Sequence, residues 1–157
     1  MESLSRYQIL FDNYLENNKQ KSKPHGLYAP IQYILSLGGK RLRPLLALMA
    51  TEAFGNKPED ALPAALSVEV FHNFTLIHDD IMDQAPLRRG APTVHNKWDE
   101  NTGILSGDAM LIQAYQCLES YPNELFVKLI NHTSKTALEV CEGQQYDMDF
   151  ETQKDVT

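Results

Sequence analysis

The sequence predicts an all-α fold built as a helix bundle. Apolar residues recur at helical spacing along most of the chain, and glycines and prolines stand where these segments start or stop. We find no stretch that alternates convincingly between polar and apolar residues. At 157 residues, 43% of them hydrophobic, the chain can bury a core without disulfides or structural metals.

Six helical segments are expected, in this order: residues 2–17, 28–37, 42–54, 63–83, 102–119 and 123–151. In the first, apolar residues recur at helix-compatible spacings, and a polar linker at 19–24 follows. The second segment stops at Gly38-Gly39 and the third at Gly55, because glycine commonly ends a helix.

Prolines support the starts of the third and fourth segments. Pro44 and Pro63 each fall in a first helical turn, where a missing N–H does no harm. Residues 85–92 are expected to form a loop, because two prolines and a glycine interrupt them. The last two segments continue the helical periodicity to residue 151.

The composition bounds the classes of function. Fourteen basic and twenty-one acidic residues give a net charge of −7, which argues against general nucleic-acid binding. No segment approaches the ~20 apolar residues of a membrane span, and the charged N-terminus has no apolar stretch suited to export. Cys117 and Cys141 show no metal-ligand spacing, so two buried, reduced thiols are the simplest interpretation. These features predict a soluble cytoplasmic protein.

The most informative motif is the acidic end of the fourth segment. His72 and Asp79 are seven residues apart and Asp83 is one turn further, so the three side chains share one stripe of a helix. Asp80 is turned about 100° away and is expected to support the site from its side. Such carboxylates suit a hard divalent cation that keeps open positions for an anion. A solvated helix end is the alternative, although acidic residues there oppose the helix dipole.

Two basic segments accompany this motif. Lys40, Arg41 and Arg43 follow a glycine pair and precede a helix start, where anions bind readily. Arg88 and Arg89 follow the acidic motif, and guanidinium groups hold phosphates through paired N–H donors. A charged loop in solvent is the alternative for the first cluster. With the acidic site, the two clusters could hold two diphosphate groups.

Taken together, these segments resemble the trans-type isoprenyl diphosphate synthases, the polyprenyl synthetase family. The motifs that carry the resemblance are GGKRLRP at 38–44, HNFTLIHDDIMD at 72–83, RRGAPT at 88–93, LSGDAML at 105–111 and EGQQYDMDF at 142–150. Their order and spacing agree with the family from about residue 36 onward. The DDxxD signature alone would also fit a terpene cyclase, but cyclases lack the lysine-arginine site for a second diphosphate.

The resemblance implies roles for individual residues. Asp79 and Asp83 are implied to bind Mg²⁺ with Asp80 assisting, and Arg88 to hold the allylic diphosphate. The positions that match an isopentenyl diphosphate site are Lys40, Arg43, His72 and Arg89. The polar residues that match the same cavity from the last helix are Gln144 and Asp147, for which a solvated helix face is the alternative. The positions that match product-length determinants are Phe71, Phe74 and Thr75, for which ordinary core packing is the alternative.

The implied activity is a Mg²⁺-dependent, 1′-4 head-to-tail condensation. Isopentenyl diphosphate would join an allylic diphosphate (dimethylallyl, geranyl or farnesyl) to give farnesyl or geranylgeranyl diphosphate in a homodimeric enzyme. The family's second aspartate-rich motif has no counterpart here, so residues 1–157 are expected to be the N-terminal part of one helical domain, inactive alone. A non-catalytic subunit that regulates a partner synthase is the alternative, and the three retained aspartates favour the enzyme.

Overall fold

The computed structural model describes residues 2–18 and 22–153, and these residues adopt the predicted all-α fold. The helices are α1 (Glu2–Asn17), α2 (His25–Ser36), α3 (Leu42–Ala53), α4 (Leu62–Met82), α5 (Val94–Lys97), α6 (Glu100–Gln116) and α7 (Asn123–Phe150). Short 3₁₀ turns precede α4 and follow α6. The chain divides into two compact units, residues 1–117 and 118–157, and α7 belongs to the second. That both are parts of one helical domain stays a prediction.

Helix α4 forms the centre of the first unit. It packs most extensively against α6 and α3, and it also contacts α1, α2 and α5. Val70 and Ile77 are seven residues apart on α4, and both are completely buried because they share one side of the helix. The core around them includes Phe11, Ile31, Leu45, Leu48 and Met110. This core fixes the position of α4, the helix that carries the acidic motif.

The connection between α2 and α3 has a specified backbone shape. Gly38 and Gly39 have φ angles of 70° and 140°, which glycine reaches without steric cost. Arg41 follows with φ of 49°, a left-handed conformation that is uncommon for a large side chain. Lys40, between them, is exposed, whereas Arg41 is buried. The connection therefore presents one cation outward and the next inward.

A β-hairpin forms within residues 85–92, which were expected to be a loop without strands, so this expectation is wrong for residues 87–92. Strand β1 (Leu87–Arg88) pairs with β2 (Ala91–Pro92) in antiparallel register. The two residues between the strands, Arg89 and Gly90, both have positive φ, 54° and 80°, as in a type I′ turn. Strands of two residues are too short to show alternation in the sequence, and the prolines and the glycine there indicate a loop without showing that its two sides pair.

The observed helix boundaries differ from the predicted ones by at most three residues. Helix α2 begins at His25, directly after Pro24, which is three residues before the predicted start. Helix α6 begins at Glu100 because the Asp99 carboxylate accepts the backbone N–H of Thr102 at 2.8 Å, which caps the first turn. The short helix α5 was not expected. Part of the predicted linker, residues 19–21, lies outside the described residues.

Two expectations from composition have different outcomes. Cys141 is exposed and Cys117 only partly buried, so the expectation of two buried thiols is wrong. Cys141 lies on α7, none of whose residues is buried. The partial burial of Cys117 raises the pKa of its thiol to about 11. Within residues 2–18 and 22–153, no helix is long and apolar enough to cross a membrane.

The contact between α4 and α6 gives a first prediction. A Cβ added at Gly107 of α6 would lie 2.6 Å from Cδ2 of the His78 ring on α4. Alanine should gain about 1 kcal/mol from helix propensity, but overpacking costs about 1–3 kcal/mol. We therefore expect Gly107→Ala to lower the free energy of unfolding by about 1 kcal/mol in urea denaturation. Gly26→Ala is the control, because its added Cβ meets nothing within 4 Å; equal stability of the two variants would contradict the predicted clash.

Candidate functional site

The acidic motif lies at the C-terminal end of α4. Asp79 is half-buried and Asp83, which follows the last helical residue, is exposed. Burial raises the pKa of Asp79, and the neighbouring charges of Asp83 and Asp80 raise it further. Arg88 and His78 act in the opposite direction. The fold therefore holds carboxylates close enough to repel one another, an arrangement that an added cation would relieve.

Asp80 pairs with the hairpin. Its carboxylate accepts the Nε–H of Arg88 at 2.8 Å and an Nη2–H of Arg88 at 2.7 Å, which is a bidentate contact. The Asp80 side chain is 2% exposed and that of Arg88 is 25% exposed. This contact raises the pKa of Arg88 and leaves three of its five N–H donors for another acceptor. Asp80 therefore orients Arg88 beside Asp79.

The hairpin is fixed at its base and at its tip. At the base, the Thr93 hydroxyl donates to the Ala85 carbonyl at 2.8 Å, and the Tyr33 hydroxyl donates to the Pro92 carbonyl at 2.7 Å. At the tip, the Arg89 guanidinium packs against Gly39, where an added Cβ would lie 2.9 Å from its Cζ. The turn of the hairpin and the glycine-rich connection before α3 are thus in contact, although fifty residues separate them in the sequence.

The two basic segments converge on His72. Burial lowers the pKa of His72 from its ordinary value. The positive charges of Arg43, Arg89 and Arg88 lower it further, whereas Glu69 acts in the opposite direction. His72 is half-buried on α4, while Arg43 is exposed in the first turn of α3. Arginines from both basic segments thus act on the charge of His72, and such an environment favours an anion.

One group of buried polar residues was not predicted from the sequence. Glu69 of α4 is buried and forms an ion pair with Arg41, and it also accepts the Asn73 Nδ2–H at 3.0 Å. The available signal was an acidic residue inside the apolar stretch LSVEVF, which on a core helix requires a buried partner. The sequence does not say which of the three cations in residues 40–43 turns inward.

The predicted product-length residues lie together on α4. The rings of Phe71 and Phe74 meet edge to face with centroids 5.5 Å apart, and the Phe74 and His78 rings follow at 4.8 Å. The Thr75 hydroxyl donates to the His72 carbonyl at 2.8 Å. All of these side chains are half-buried, so they line the part of α4 that precedes the aspartates.

Gln144 and Asp147 lie on α7, in the second unit. Both are exposed, and their separation of three residues places them on one side of the helix. Their predicted role toward the same substrates stays a prediction.

The donor set of the acidic motif fits Mg²⁺. Asp79 and Asp83 offer carboxylate oxygens, the ligands that Mg²⁺ prefers, at a partly exposed position. No three histidine, cysteine or acidic side chains among the described residues come together as a ready-made metal centre. Two carboxylates are the usual number for an ion that keeps several waters and binds substrate phosphates.

The environment of His72 gives a second prediction. In NMR titrations its pKa should lie below 6.5 and should rise when diphosphate is added, because an anion offsets the arginine charges. A lowered native pKa means that the native state binds fewer protons than the unfolded state. The stability due to His72 is therefore complete above about pH 6.5 and is lost as the pH falls toward the native pKa.

Two variants control this measurement. Arg43→Gln should raise the pKa of His72, because it removes the positive charge that lowers it most. Lys57→Gln changes charge equally in the exposed segment before α4 and should leave the pKa unchanged. A His72 pKa above 6.5, or one that diphosphate does not move, would contradict the proposed anion environment.

Comparison with known proteins identifies the family of this chain. The polyprenyl synthetase family matches residues 24–157. Relatives include a geranylgeranyl diphosphate synthase of Methanosarcina mazei, which is 49% identical over 87% of this chain and 43% of its own length. A geranylfarnesyl diphosphate synthase of Natronomonas pharaonis is 42% identical over 86% of this chain and 45% of its own length.

A solved structure gives the same result for the fold. The crystal structure of a geranylgeranyl pyrophosphate synthase superposes with a TM-score of 0.97 at 58% identity, over 100% of this chain and 48% of that protein. The chain thus spans less than half the length of the curated relatives described above. Family match, identity and superposition all lead to one assignment: the chain belongs to the polyprenyl synthetase family.

Proposed function

We propose that the protein containing this chain is a Mg²⁺-dependent prenyltransferase that condenses isopentenyl diphosphate with an allylic diphosphate, head to tail. The observation that supports this most is the meeting of three segments in the first unit. The acidic end of α4 adjoins the hairpin arginines, and the hairpin tip contacts the glycine-rich connection before α3. One cation-binding motif and two basic clusters therefore share a single surface.

This arrangement suits two anions held in different ways. Near Asp79 and Asp83, an anion would share a divalent cation with the carboxylates and accept N–H bonds from Arg88. Near Lys40, Arg43, His72 and Arg89, an anion would be held by basic side chains alone. A reaction between two diphosphate esters requires this pairing, because only one of them loses its diphosphate.

The chemistry asks for charge stabilisation and not for a protein nucleophile. When bound, Mg²⁺ supplies positive charge to the departing diphosphate. Arg88, oriented by Asp80, adds N–H donors to the same oxygens while the allylic C–O bond breaks. The double bond of isopentenyl diphosphate then attacks the allylic carbon, and a proton leaves, with the departed diphosphate as a plausible base. Neither cysteine is needed.

The aromatic residues on α4 support a short product, farnesyl or geranylgeranyl diphosphate. Phe74 lies five residues before Asp79, and its ring is held between Phe71 and His78. A bulky ring one to two turns from the reacting carbon would stop a growing chain that runs along α4 toward its N-terminus.

Truncating this ring is expected to lengthen the products, which is a third prediction. Phe74→Ala in the complete enzyme should shift the product distribution to longer chains, resolved by reversed-phase chromatography. Phe54→Ala is the matched control, because Phe54 directly follows α3 and is 86% exposed. Unchanged product lengths in Phe74→Ala, with activity retained, would remove Phe74 as the limiting residue.

We further propose a homodimer. Leu105 and Ile112 are seven residues apart on α6 and are 60% and 59% exposed, so this helix presents apolar side chains on its outer side. Light scattering on the complete protein should give the mass of two copies, and a monomer at assay concentrations would contradict this proposal.

The decisive experiment supplies isopentenyl diphosphate, one allylic diphosphate and Mg²⁺ to the complete protein. A prenyl diphosphate product supports the enzyme, and its length identifies the chain-length class. No product alone, but stimulation of a partner synthase on mixing, would support a non-catalytic regulatory subunit. The same assay on residues 1–157 tests whether this segment turns over by itself.

A further inference from the structure

One buried ion pair joins three helices behind the basic cluster. The side chains of Arg41 and Glu69 are 6% and 4% exposed and in direct contact. Arg41 also donates an Nη2–H to the Leu35 carbonyl at 2.6 Å. Leu35 is in the last turn of α2, Arg41 immediately precedes α3 and Glu69 lies on α4. Arg41 therefore fixes the relative positions of these helices at the glycine-rich connection.

Glu69 also acts on residues of the proposed diphosphate site. It accepts the Asn73 Nδ2–H at 3.0 Å. Burial and the charge of Arg43 lower the pKa of His72, three residues further along α4, and the negative charge of Glu69 opposes this shift. Burial and the charge of Arg41 lower the pKa of Arg89, and the charge of Glu69 opposes this shift. One buried carboxylate thus balances the cations from the connection and from the hairpin tip.

Stability alone does not explain a pair of this kind. Removing two charges from water costs several kcal/mol per ion, and buried pairs can often be replaced by apolar side chains without loss of stability. What such a pair supplies is geometry, because each bond fixes both direction and distance. Here that geometry includes the left-handed backbone of Arg41, which separates the exposed cations Lys40 and Arg43.

We propose that Arg41 and Glu69 are a positioning pair, which holds the connection before α3 in the shape that lets Lys40, Arg43 and Arg89 bind one diphosphate group together. The pair does not touch the anion itself. The inference rests on the proposed function only in naming diphosphate as the anion, and the binding of that anion can be measured without any turnover.

The test replaces both members of the pair at once. Arg41→Met combined with Glu69→Met keeps the net charge and the approximate side-chain volume. The measurement is the Kd of inorganic diphosphate for the complete protein in EDTA, where the basic cluster acts without divalent cations. We expect binding about tenfold weaker, the effect of misplacing one charge-assisted contact, at a melting temperature close to that of the unchanged protein.

A matched control removes a second Arg–Glu pair. Arg6 and Glu52 join α1 to α3 through a 2.6 Å contact, and both are substantially exposed. Arg6→Met combined with Glu52→Met should leave the diphosphate Kd unchanged. If the Arg41/Glu69 double variant fails to fold, Arg41→Lys decides. It keeps the charge but replaces the two guanidinium nitrogens that contact Glu69 and Leu35 by one ammonium nitrogen, which changes the geometry of both contacts, and we expect Kd to rise at least threefold.

The outcomes separate this inference from the proposed function. Unchanged diphosphate binding in the folded double variant, or in Arg41→Lys where that variant decides, overturns the positioning pair. It is also overturned if the unchanged protein binds no diphosphate in EDTA. If diphosphate binding depends on the pair but the protein forms no product from isopentenyl and allylic diphosphates, the positioning pair is supported and the proposed prenyltransferase activity is contradicted.

Discussion

Replacing Asp79 by asparagine is expected to abolish Mg²⁺-dependent turnover without lowering the melting temperature. Burial and the charge of Asp83 raise the pKa of Asp79, so the folded chain disfavours its ionised form relative to the unfolded chain. Asparagine has nearly the same shape and no charge, and it relieves this penalty at neutral pH. A site that binds a cation has to accept such a cost, because the cation is what compensates it.

We expect turnover to fall by about a thousandfold, since Asp79 is one of the two proposed ligands of Mg²⁺. The measurements are kcat at saturating Mg²⁺ and the melting temperature by calorimetry, both on the complete protein. Glu100→Gln, an exposed acidic residue on α6, should change neither. A drop of several degrees in the melting temperature of Asp79→Asn would show that Asp79 serves the fold, and near-normal kcat would remove it from the site.

The helical part of this site could be predicted from the sequence. Periodicity and Pro63 predict a helix over residues 63–83. The observed helix, Leu62–Met82, begins and ends within one residue of these bounds. Once α4 is a helix, the shared stripe of His72, Asp79 and Asp83 follows from 3.6 residues per turn. Local spacing carries this information, because the residues concerned lie on one element.

The contacts between elements could not be predicted in the same way. Arg89 packs on Gly39 because two positive φ angles turn the hairpin, and the turn sequence is Arg-Gly instead of the preferred Asn-Gly or Asp-Gly. Glu69 and Arg41 form an ion pair across 28 residues, and nothing local distinguishes Arg41 from Lys40 or Arg43. Which cation turns inward depends on the buried carboxylate that it meets, and that is a property of the packed helices.

Asp80→Asn should have the opposite effect on stability from Asp79→Asn, although the residues are adjacent and the substitution is identical. Both oxygens of Asp80 accept N–H bonds from Arg88, and its side chain is 2% exposed. Asparagine keeps one acceptor and turns an N–H donor toward the guanidinium. Because the Arg88 side chain is 25% exposed, water can partly solvate the guanidinium that loses its partner. We therefore expect the free energy of unfolding to fall by about 2 kcal/mol, less than the 3–5 kcal/mol lost when a fully buried ion pair is broken.

Activity should fall as well, through the Michaelis constant for the allylic diphosphate, because Arg88 loses the contact that orients it. A double-mutant cycle with Arg88→Gln separates the pair from other effects, and we expect a coupling free energy of about 2 kcal/mol in urea denaturation. Additive losses would mean that the two side chains act independently. Asp79 and Asp80 differ by about 100° around α4. The Asp79 carboxylate is therefore the one proposed to bind the cation, whereas the buried Asp80 carboxylate pairs with Arg88. Opposite shifts in melting temperature from one substitution at neighbouring positions would follow from that rotation alone.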